Sequence, residues 1–308
     1  MKALIIGHGS IGRRHREILK NFQEIETVDI VSSHIQNCDC RCFETLENTP
    51  LEDYDYFVIA NETSKHYNAL NYISKHVRNR RILVEKPLFS RYREIDTRDN
   101  DVYVAYNLRF HPIIAAMEAL LKEENILYAG IMAGQYLPTW RPGRDYREAY
   151  SASVDQGGGV LRDLSHELDY TLMLFGEIIT ITAFDEKVSS LAIDADDLFT
   201  AIGRTSKGTV INLTLDYISK HPLRRMIVHS DRLTVEADLV DSTMRFWDET
   251  GNGRTVKEPI ERNHTYRKMH EALLRQNGNR VCTLSEALTT MKLIDRTSHY
   301  NRKDHNVR

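Results

Sequence analysis

The sequence predicts a two-domain α/β protein, in which a doubly wound parallel sheet is followed by an α+β domain built on a large open, mainly antiparallel sheet. Three observations lead to this fold class. Short apolar runs alternate with helical patterns over the first third of the chain. Alternating apolar and polar segments joined by short turns fill much of the remainder. The 308 residues, of which 41% are hydrophobic, are enough for two cores.

The first domain is predicted over residues 1–108, where apolar runs are separated by helical patterns. The runs read KALIIG, TVDIVSS, YDYFVIAN, RRILVEK and DVYVAYN. Helices are expected at 11–22, 64–75 and 92–98 between them. Because nearly continuous apolar strands are buried on both faces, this alternation is typical of a parallel sheet that helices cover on both sides.

The second domain is predicted over residues 109–308. Its sheet is expected from the segments IITITAFDEKV, LFTAIGRT, GTVINLTLDYI, RRMIVHS, RLTVEAD and TMRFW. A polar loop around Trp140 and a glycine triplet, Gly157 to Gly159, come before the sheet. The triplet is interpreted as a flexible entry into the helix that follows it. Predicted helices lie at 111–123, 160–174, 265–276 and 284–296.

Charge and composition exclude several classes of function. A formal net charge of -3 and a pI near 6.5 give no strong field to attract nucleic acid or an anionic membrane. No apolar run approaches the about 20 residues that span a bilayer, and no signal sequence is evident, so a cytoplasmic protein is expected. Cys38, Cys40 and Cys42 alternate and Cys282 lies far away, which predicts reduced thiols and no metal site.

The segment GHGSIGRRH, which follows the first strand and opens a helix, predicts a dinucleotide-binding turn. In this interpretation Gly7 permits the tight turn, Gly9 lets the backbone approach a pyrophosphate, and Gly12 lets helix and strand pack closely. The helix start offers N–H groups to the phosphates. A glycine turn without a ligand is the alternative. The residues predicted to contact the cofactor here are Gly7, Gly9, Ser10, Ile11 and Gly12.

The choice of nicotinamide cofactor depends on the end of the second strand, which reads VSSH. NAD-binding proteins place a carboxylate there for the ribose 2′-hydroxyl, whereas this chain has Ser32, Ser33 and His34. Asp29 lies earlier on the strand and is expected to be too deep. Because hydroxyls repel a 2′-phosphate less than a carboxylate does, the cofactor is predicted to be NADP or NAD, with NADP slightly favoured.

Polar residues follow the next strands of the predicted parallel sheet. Glu85 and Lys86 end one strand, and the segments NETSKH and VAYNLRFHP end its neighbours in sequence. Ligands of open parallel sheets bind beyond the carboxyl ends of the strands, which places Lys86 towards the nicotinamide end of the cofactor. A surface Lys-Pro turn is the alternative. Cofactor contacts are therefore predicted for Asn61, His66, Glu85, Lys86 and Asn107.

These motifs together resemble the glucose-fructose oxidoreductase, inositol dehydrogenase and MocA family of NAD(P)-dependent oxidoreductases. The similarity runs through GHGSIGRRH, IANETSKH, LVEKPL, AYNLRFHP and GGGVLRDLSHELDY and covers most of the chain. It implies a Rossmann domain and an α+β domain whose open sheet forms the interface of a homodimer or homotetramer. It also implies that Lys86 is catalytic, that His166 is the general acid/base and that Asp163 is a supporting carboxylate.

The chain departs from the family pattern at the proposed acid/base. The family usually has D-x-G-x-H, whereas Asp163 and His166 are three residues apart here. On a continuous helix both spacings keep the two side chains on one face, so the pair is expected to cooperate. The alternative from the residues alone is a carboxylate in the first turns of a helix, which the helix dipole favours, followed by an exposed histidine.

The substrate is expected to be a sugar. The segment QYLPTWRPGRDYR offers Trp140 for stacking on a sugar face, and arginines for a carboxylate or phosphate. Its resemblance to enzymes of bacterial surface-glycan pathways implies a nucleotide sugar or an acidic sugar. Alternatives are a solvated basic loop, a retained-cofactor epimerase, or a non-catalytic NAD(P)-binding regulatory protein. The predicted substrate contacts are Arg109, Trp140, Arg141, Arg144 and Tyr146.

Overall fold

The computed structural model describes residues 1–33, 39–276 and 278–298, and the chain divides into two compact units. The first unit combines Met1–Phe110 with Arg262–Met291, and the second combines His111–Glu261 with the chain from Lys292 onward. This division differs from the predicted one, in which all of 109–308 formed the second domain. The segment Arg262–Met291 is grouped with the first unit instead.

The first unit contains a seven-stranded sheet with the order β15-β6-β5-β4-β1-β2-β3. Its strands are β1 (Lys2–Ile6), β2 (Thr27–Val31), β3 (Cys42–Phe43), β4 (Tyr56–Ile59), β5 (Arg81–Val84), β6 (Asp101–Val104) and β15 (Cys282–Thr283). The pairings are parallel except that of β15 with β6. Strands β1, β4 and β5 are almost entirely buried, as nearly continuous apolar runs require.

Helices of the first unit cover this sheet. They include α1 (Ser10–Leu19), α2 (Thr63–His76) and α7 (His264–Arg275), and α8 (Leu284–Thr297) starts in this unit. The helix predicted at 92–98 is wrong, because this stretch is irregular apart from a turn. No residue from Arg91 to Asp99 is buried, so a helix there would have no apolar face to stabilise it.

Helix α7 accounts for the grouping of Arg262–Met291 with the first unit. Its residues Met269, Ala272 and Leu273 belong to one apolar cluster with Ile5 on β1 and Leu19 on α1. These five side chains are almost fully buried. The chain therefore returns to complete the first core. The amphipathic pattern of this segment predicts a helix but does not specify which sheet the helix covers.

The second unit contains an eight-stranded sheet with the order β14-β13-β12-β11-β7-β10-β9-β8. Its strands are β7 (Ile126–Gly134), β8 (Ile178–Glu186), β9 (Leu198–Thr205), β10 (Val210–Asp216), β11 (Leu223–Ser230), β12 (Leu233–Asp238), β13 (Thr243–Asp248) and β14 (Gly253–Lys257). Strands β7 and β10 pair in parallel, and the other pairings are antiparallel. The predicted mainly antiparallel sheet is confirmed, although β7 and β14 were not expected.

One face of this sheet exposes large apolar side chains. Phe184, Ile202 and Met132 are 55%, 56% and 43% exposed. The registers that pair Phe184 with Thr200, Ile202 with Asn212, and Asn212 with Gly130 place all three on the same face. An apolar sheet face of this kind is typical of a surface that another chain covers.

Helices of the second unit are α3 (Pro112–Leu121), α4 (Leu137–Trp140), α5 (Val160–Asp163) and α6 (His166–Phe175). The continuous helix predicted at 160–174 is wrong. The chain turns at Leu164 and Ser165, so Asp163 ends α5 and His166 begins α6. The argument that both side chains share one helix face therefore does not apply, and Asp163 lies at a helix C-terminus, where the dipole does not favour it.

The structure tests the predicted state of the cysteines. Cys40 is disulfide-bonded, so the expectation of reduced thiols is wrong for this residue, whereas Cys42 and Cys282 form no disulfide with another described residue. Residues 39–41 are irregular, and the predicted short strand that would hold alternate thiols apart starts only at Cys42. Cys38 lies outside the described residues.

Within the described ranges, no helix is long and apolar enough to cross a membrane.

Candidate active site

The glycine turn of the first unit has the geometry that a dinucleotide requires. Gly7 has φ +99°, and a Cβ there would lie 2.6 Å from the backbone nitrogen of Asn61. A Cβ on Gly12 would lie 2.0 Å from the carbonyl oxygen of Gly7, so only glycine lets α1 approach the turn this closely. A Cβ on Gly9 would meet no atom within 4 Å. Gly9 therefore borders open space, into which a diphosphate can fit.

The start of α1 is suited to an anion. Gly9 is the N-cap, no side chain caps the helix, and its first turn contains no acidic residue. The first N–H groups of a helix have no partner within the helix, and the dipole places partial positive charge there. Ser10, Ile11 and Gly12 form this first turn. These residues fit the phosphates of a nicotinamide dinucleotide.

Sheet topology brings the polar strand ends to one edge. Strands β1, β4 and β5 are parallel neighbours, so the residues after them lie at the same edge of the sheet. These residues are Gly7, Asn61 and Glu85. The side-chain oxygen of Asn61 is buried and has no hydrogen-bond partner within the described part of the chain. It can accept a hydrogen bond from a bound group, such as a carboxamide.

His66 supports this edge from inside the fold. It is buried, with Nδ1 at 3.1 Å from the carbonyl oxygen of Pro87 and Nε2 at 3.1 Å from that of Asn61. Burial lowers the pKa of the ring. Because both nitrogens face protein carbonyls, the ring connects the Asn61 turn with the turn after Lys86. In this structure His66 supports the two turns, and its direct contact with cofactor stays a prediction.

Lys86 stands out from its surroundings. From Ile82 to Phe89, every residue except Lys86 is buried. Its neighbour Glu85 has one carboxylate oxygen 2.8 Å from His15 Nε2, and the other accepts the Lys86 backbone N–H at 3.2 Å. Glu85 therefore holds the backbone of this turn, and Lys86 is half-buried.

Two predicted contact residues have internal partners. The Asn107 amide donates to Thr265 Oγ1 at 2.6 Å, and both residues are buried. Arg109 is 4% exposed, and its guanidinium lies 2.8 Å from the carboxylate of Glu286. The prediction of Arg109 as a substrate contact is therefore not supported. The interaction with Glu286, 177 residues away, neutralises its charge within the first unit.

The end of β2 lacks an accessible carboxylate among the described residues. Ser32 is half-buried and Ser33 is exposed, while His34 lies outside the described ranges. Asp29 is buried, and it accepts hydrogen bonds from Tyr54 OH at 2.8 Å and from the backbone N–H of Arg41 at 3.1 Å. Asp29 is therefore already occupied by protein donors, which agrees with its expected depth.

In the second unit, Asp163 is a buried carboxylate held by tyrosines. Tyr217 donates to Asp163 Oδ2 at 2.7 Å, and the Tyr150 hydroxyl also bonds to this carboxylate. Burial, followed by the charge of Asp163, raises the pKa of both phenols, so both remain donors. The tyrosines fix the orientation of Asp163 from two directions.

The glycine triplet is a close-packed crossing, and the interpretation as a flexible entry is wrong. A Cβ on Gly158 would lie 2.1 Å from the carbonyl oxygen of Tyr150, and one on Gly159 would lie 1.9 Å from Asp196 Oδ1. Asp196 caps α5, because its carboxylate accepts the Leu161 N–H at 3.0 Å. Burial, together with the charge of a second carboxylate nearby, raises the pKa of Asp196. The glycines thus let the chain pass between the Tyr150 carbonyl and the Asp196 carboxylate, where a side chain would clash.

His166 is half-buried at the start of α6. The next residue, Glu167, is fully buried, and its Oε1 lies 2.7 Å from Arg224 Nε on β11. This buried ion pair attaches the first turn of α6 to the sheet. The sequence gives no indication that Glu167 and Arg224 are partners, because they are distant along the chain.

Four of the predicted substrate residues line one small cavity in the second unit, whose volume of about 10 Å³ leaves room for about one water molecule. The Arg141 guanidinium lies 4.8 Å from the centre of the Tyr150 ring, and the Trp140 ring lies 5.6 Å from that of Tyr217. The cavity therefore borders the tyrosines that hold Asp163. Its lining residues are Leu137, Trp140, Arg141, Arg144, Asp145, Tyr146, Ala149 and Ser151.

Of the charged residues at this cavity, Asp145 has an ion-pair partner and Arg144 does not, within the described part of the chain. Asp145 is neutralised by Arg147, which lowers the pKa of that carboxyl to about 2. The Nε of Arg147 donates to Asp145 at 2.9 Å. Arg144 has no ion-pair partner among the described residues and lines the cavity. An anionic group that approaches this surface can therefore pair with the exposed Arg144.

Comparison with known proteins agrees with both units. Residues 1–99 match the model of the GFO/IDH/MocA oxidoreductase family with NAD-binding Rossmann fold, and residues 131–236 match the GFO/IDH/MocA C-terminal domain. UDP-N-acetylglucosamine 3-dehydrogenase of Acidithiobacillus ferrooxidans is 25% identical over 258 residues, which are 80% of this chain and 77% of that protein.

Solved structures show the same fold. Levoglucosan dehydrogenase in complex with NADH has a TM-score of 0.84 at 15% identity, over 99% of this chain and 97% of that one. The WlbA dehydrogenase from Bordetella pertussis, in complex with NADH and UDP-GlcNAcA, has a TM-score of 0.78 at 16% identity, with the same coverages. The predicted family and fold class are confirmed.

Replacing Gly9 by valine should block the cofactor without unfolding the protein. Gly9 has φ -69°, which valine adopts, and no protein atom lies within 4 Å of the new Cβ. The side chain would occupy the space that a pyrophosphate needs. We expect NADH and NADPH affinity, measured by nicotinamide fluorescence, to fall about tenfold or more, with an unchanged unfolding temperature. Equal affinity in the two proteins would contradict the assignment.

Proposed function

Because the chain belongs to the GFO/IDH/MocA oxidoreductase family, we propose that it transfers hydride between a nicotinamide cofactor and a carbon of a sugar, with a nucleotide sugar or an acidic sugar as substrate. The observation that carries this proposal is the group of Trp140, Arg141 and Arg144 around one small cavity, where Trp140 contacts Tyr217 and Arg141 contacts Tyr150, the two tyrosines that hold Asp163. An aromatic face suits a sugar ring, and an uncompensated guanidinium suits a phosphate or carboxylate. Two relatives are named for UDP-sugar ligands or substrates.

The chemistry divides between the cofactor and the protein. The nicotinamide, when bound, accepts or supplies the hydride. Lys86, the unburied residue of its turn, donates to the reacting oxygen and favours the charge that develops on it. His166 takes the hydroxyl proton, since the usual pKa of histidine of about 6.5 suits transfer near neutral pH. Asp163 orients the sugar or His166 and is itself oriented by Tyr150 and Tyr217.

For the cofactor, we propose that NADP is accepted at least as well as NAD. Ser32 and Ser33 support this, since neither repels a 2′-phosphate, and Asp29 is bonded to Tyr54 instead of facing a ribose. We also propose that the chain self-associates through the sheet face that exposes Met132, Phe184 and Ile202. A cytoplasmic location stays a prediction.

Replacing Lys86 by methionine and His166 by asparagine tests the catalytic roles. Each change should slow single-turnover hydride transfer by about 10²–10⁴-fold, because each removes a positioned donor or base. Cofactor affinity should change little, since the phosphates bind at the Gly9 turn. Asp163→Asn should give an intermediate loss. The reaction is followed at the nicotinamide absorbance with a panel of nucleotide sugars and acidic sugars.

Matched controls are Lys75→Met and His76→Asn, two exposed residues near the end of α2. Both should retain the parent rate. Turnover by Lys86→Met at the parent rate would show that the site is wrong. Tight cofactor binding with no reactive sugar would favour the non-catalytic protein. Cofactor that stays bound and cycles without net redox change would favour the epimerase.

Replacing Arg144 by methionine should raise the KM for an anionic sugar about tenfold and leave kcat nearly unchanged, because it removes an ion pair present in substrate and transition state alike. A neutral sugar should show no such change. Arg254→Met, an exposed arginine on β14, serves as the control. An equal effect of Arg144→Met on anionic and neutral sugars would contradict anion recognition.

Replacing Ser33 by aspartate should shift the preference from NADPH towards NADH. The new carboxylate would repel a 2′-phosphate and could accept a hydrogen bond from a ribose hydroxyl. The measured quantity is the ratio of the two dissociation constants in the parent and the variant. A parent protein that strongly prefers NADH would overturn the proposed cofactor choice.

Light scattering at micromolar concentration should give the mass of a dimer or tetramer. Phe184→Glu and Ile202→Glu place charges on the exposed sheet face and should shift the population towards monomer. Val240→Glu, a change at a residue that is 50% exposed outside the strands, is the matched control. A monomeric parent protein would contradict this proposal.

A further inference from the structure

We propose that His15 is a positioning residue for Lys86 and that it acts through the carboxylate of Glu85. The inference rests on the proposed role of Lys86 in hydride transfer. Four buried polar side chains of the first unit carry it, and each belongs to a different part of the chain. His15 lies on α1, Glu85 follows β5, Tyr56 begins β4, and His270 lies on α7.

These four side chains form a continuous series of hydrogen bonds. Tyr56 OH lies 2.9 Å from His270 Nδ1, and His270 Nε2 lies 2.8 Å from His15 Nδ1. His15 Nε2 lies 2.8 Å from Glu85 Oε1. Tyr56, His15 and His270 are fully buried, and Glu85 is 7% exposed. Water therefore does not compete for these bonds.

The direction of the series follows from the donors available. Burial raises the pKa of Tyr56 well above its usual value, so the phenol keeps its proton. It has no other acceptor among the described residues, and so it donates to His270 Nδ1. Burial lowers the pKa of His270 well below its usual value, so this ring is neutral. Its single N–H then lies on Nε2 and donates to His15.

The series ends on a group that only accepts. With Nδ1 of His15 accepting from His270, the N–H of His15 lies on Nε2 and donates to Glu85. The second oxygen of Glu85 accepts the backbone N–H of Lys86 at 3.2 Å. Both oxygens are thus fixed, and the carboxylate fixes the backbone of Lys86.

His15 also connects the Lys86 turn with the proposed cofactor site. It lies on α1, whose first turn follows Gly9. Burying a carboxylate and an imidazole has a desolvation cost that apolar side chains of similar volume would avoid. The need to hold Lys86 at a fixed position relative to α1 explains why polar residues are buried here, whereas filling the core does not require them.

The experiment compares His15→Leu with His15→Gln. Leucine fills the space without a donor, while glutamine can direct an N–H towards Glu85 near the position of Nε2. The first measurement is hydrogen exchange of the Lys86 amide in the protein without cofactor, by mass spectrometry of overlapping fragments. We expect exchange about tenfold or more faster in His15→Leu, and near the parent rate in His15→Gln. His76→Leu, on the surface of α2, is the control.

The second measurement is single-turnover hydride transfer, with the rate and the KM for the sugar determined separately. His15→Leu leaves the buried carboxylate of Glu85 without the donor on His15, so Lys86 should lose its fixed position. The rate should fall about tenfold, with little change in the KM for the sugar, and it should recover in His15→Gln.

Some outcomes would overturn the inference. Parent-like exchange at the Lys86 amide in folded His15→Leu would do so, as would faster exchange spread evenly over the first unit. If His15→Leu does not fold, Tyr56→Phe removes only the first donor of the series, and a smaller change confined to Lys86 is then expected. If the proposed function is wrong, the parent protein will show no hydride transfer. Hydrogen exchange of the Lys86 amide would still decide whether His15 positions this residue.

Discussion

The parallel pairing of β1 with β4, and of β4 with β5, is the constraint on which the first unit depends. It places the Gly7 turn, Asn61 and Glu85 at one edge of the sheet, although they are far apart in sequence. The absence of a side chain at Gly12 then lets α1 lie against the Gly7 carbonyl. Gly9 borders open space as a result. The site for the diphosphate and the Lys86 turn therefore follow from the same backbone arrangement.

Both units fix a buried carboxylate with donors of the protein. Glu85 is held by the His15 ring and the Lys86 amide, and Asp163 is held by Tyr217 and Tyr150. Hydrogen bonds from two directions hold each carboxylate in one orientation. A carboxylate fixed in this way can orient a neighbouring group without moving, which is what a positioned lysine or histidine requires.

Much of the architecture could be predicted because it depends on local patterns. The parallel strands, the glycine turn and most strands of the second sheet carry period-two or continuous apolar signals. Strand β7 lacks such a signal, because its glycines and small residues lie in the middle of the sheet. The break between Asp163 and His166 was also missed, since every residue of 160–174 is compatible with a helix. Arg109 looked available for substrate because its partner Glu286 lies far along the chain.

The sequence by itself determined most of the strands and helices, the glycine turn, the family and the residues that carry its motifs, because each depends on neighbours within a few positions. The tertiary structure alone decided which of these side chains are bonded internally. It assigned α7 to the first core, joined His15 to His270 and Tyr56, and gathered Trp140, Arg141, Arg144 and Tyr146 around one cavity. Such contacts depend on packing between distant segments, which no local pattern encodes.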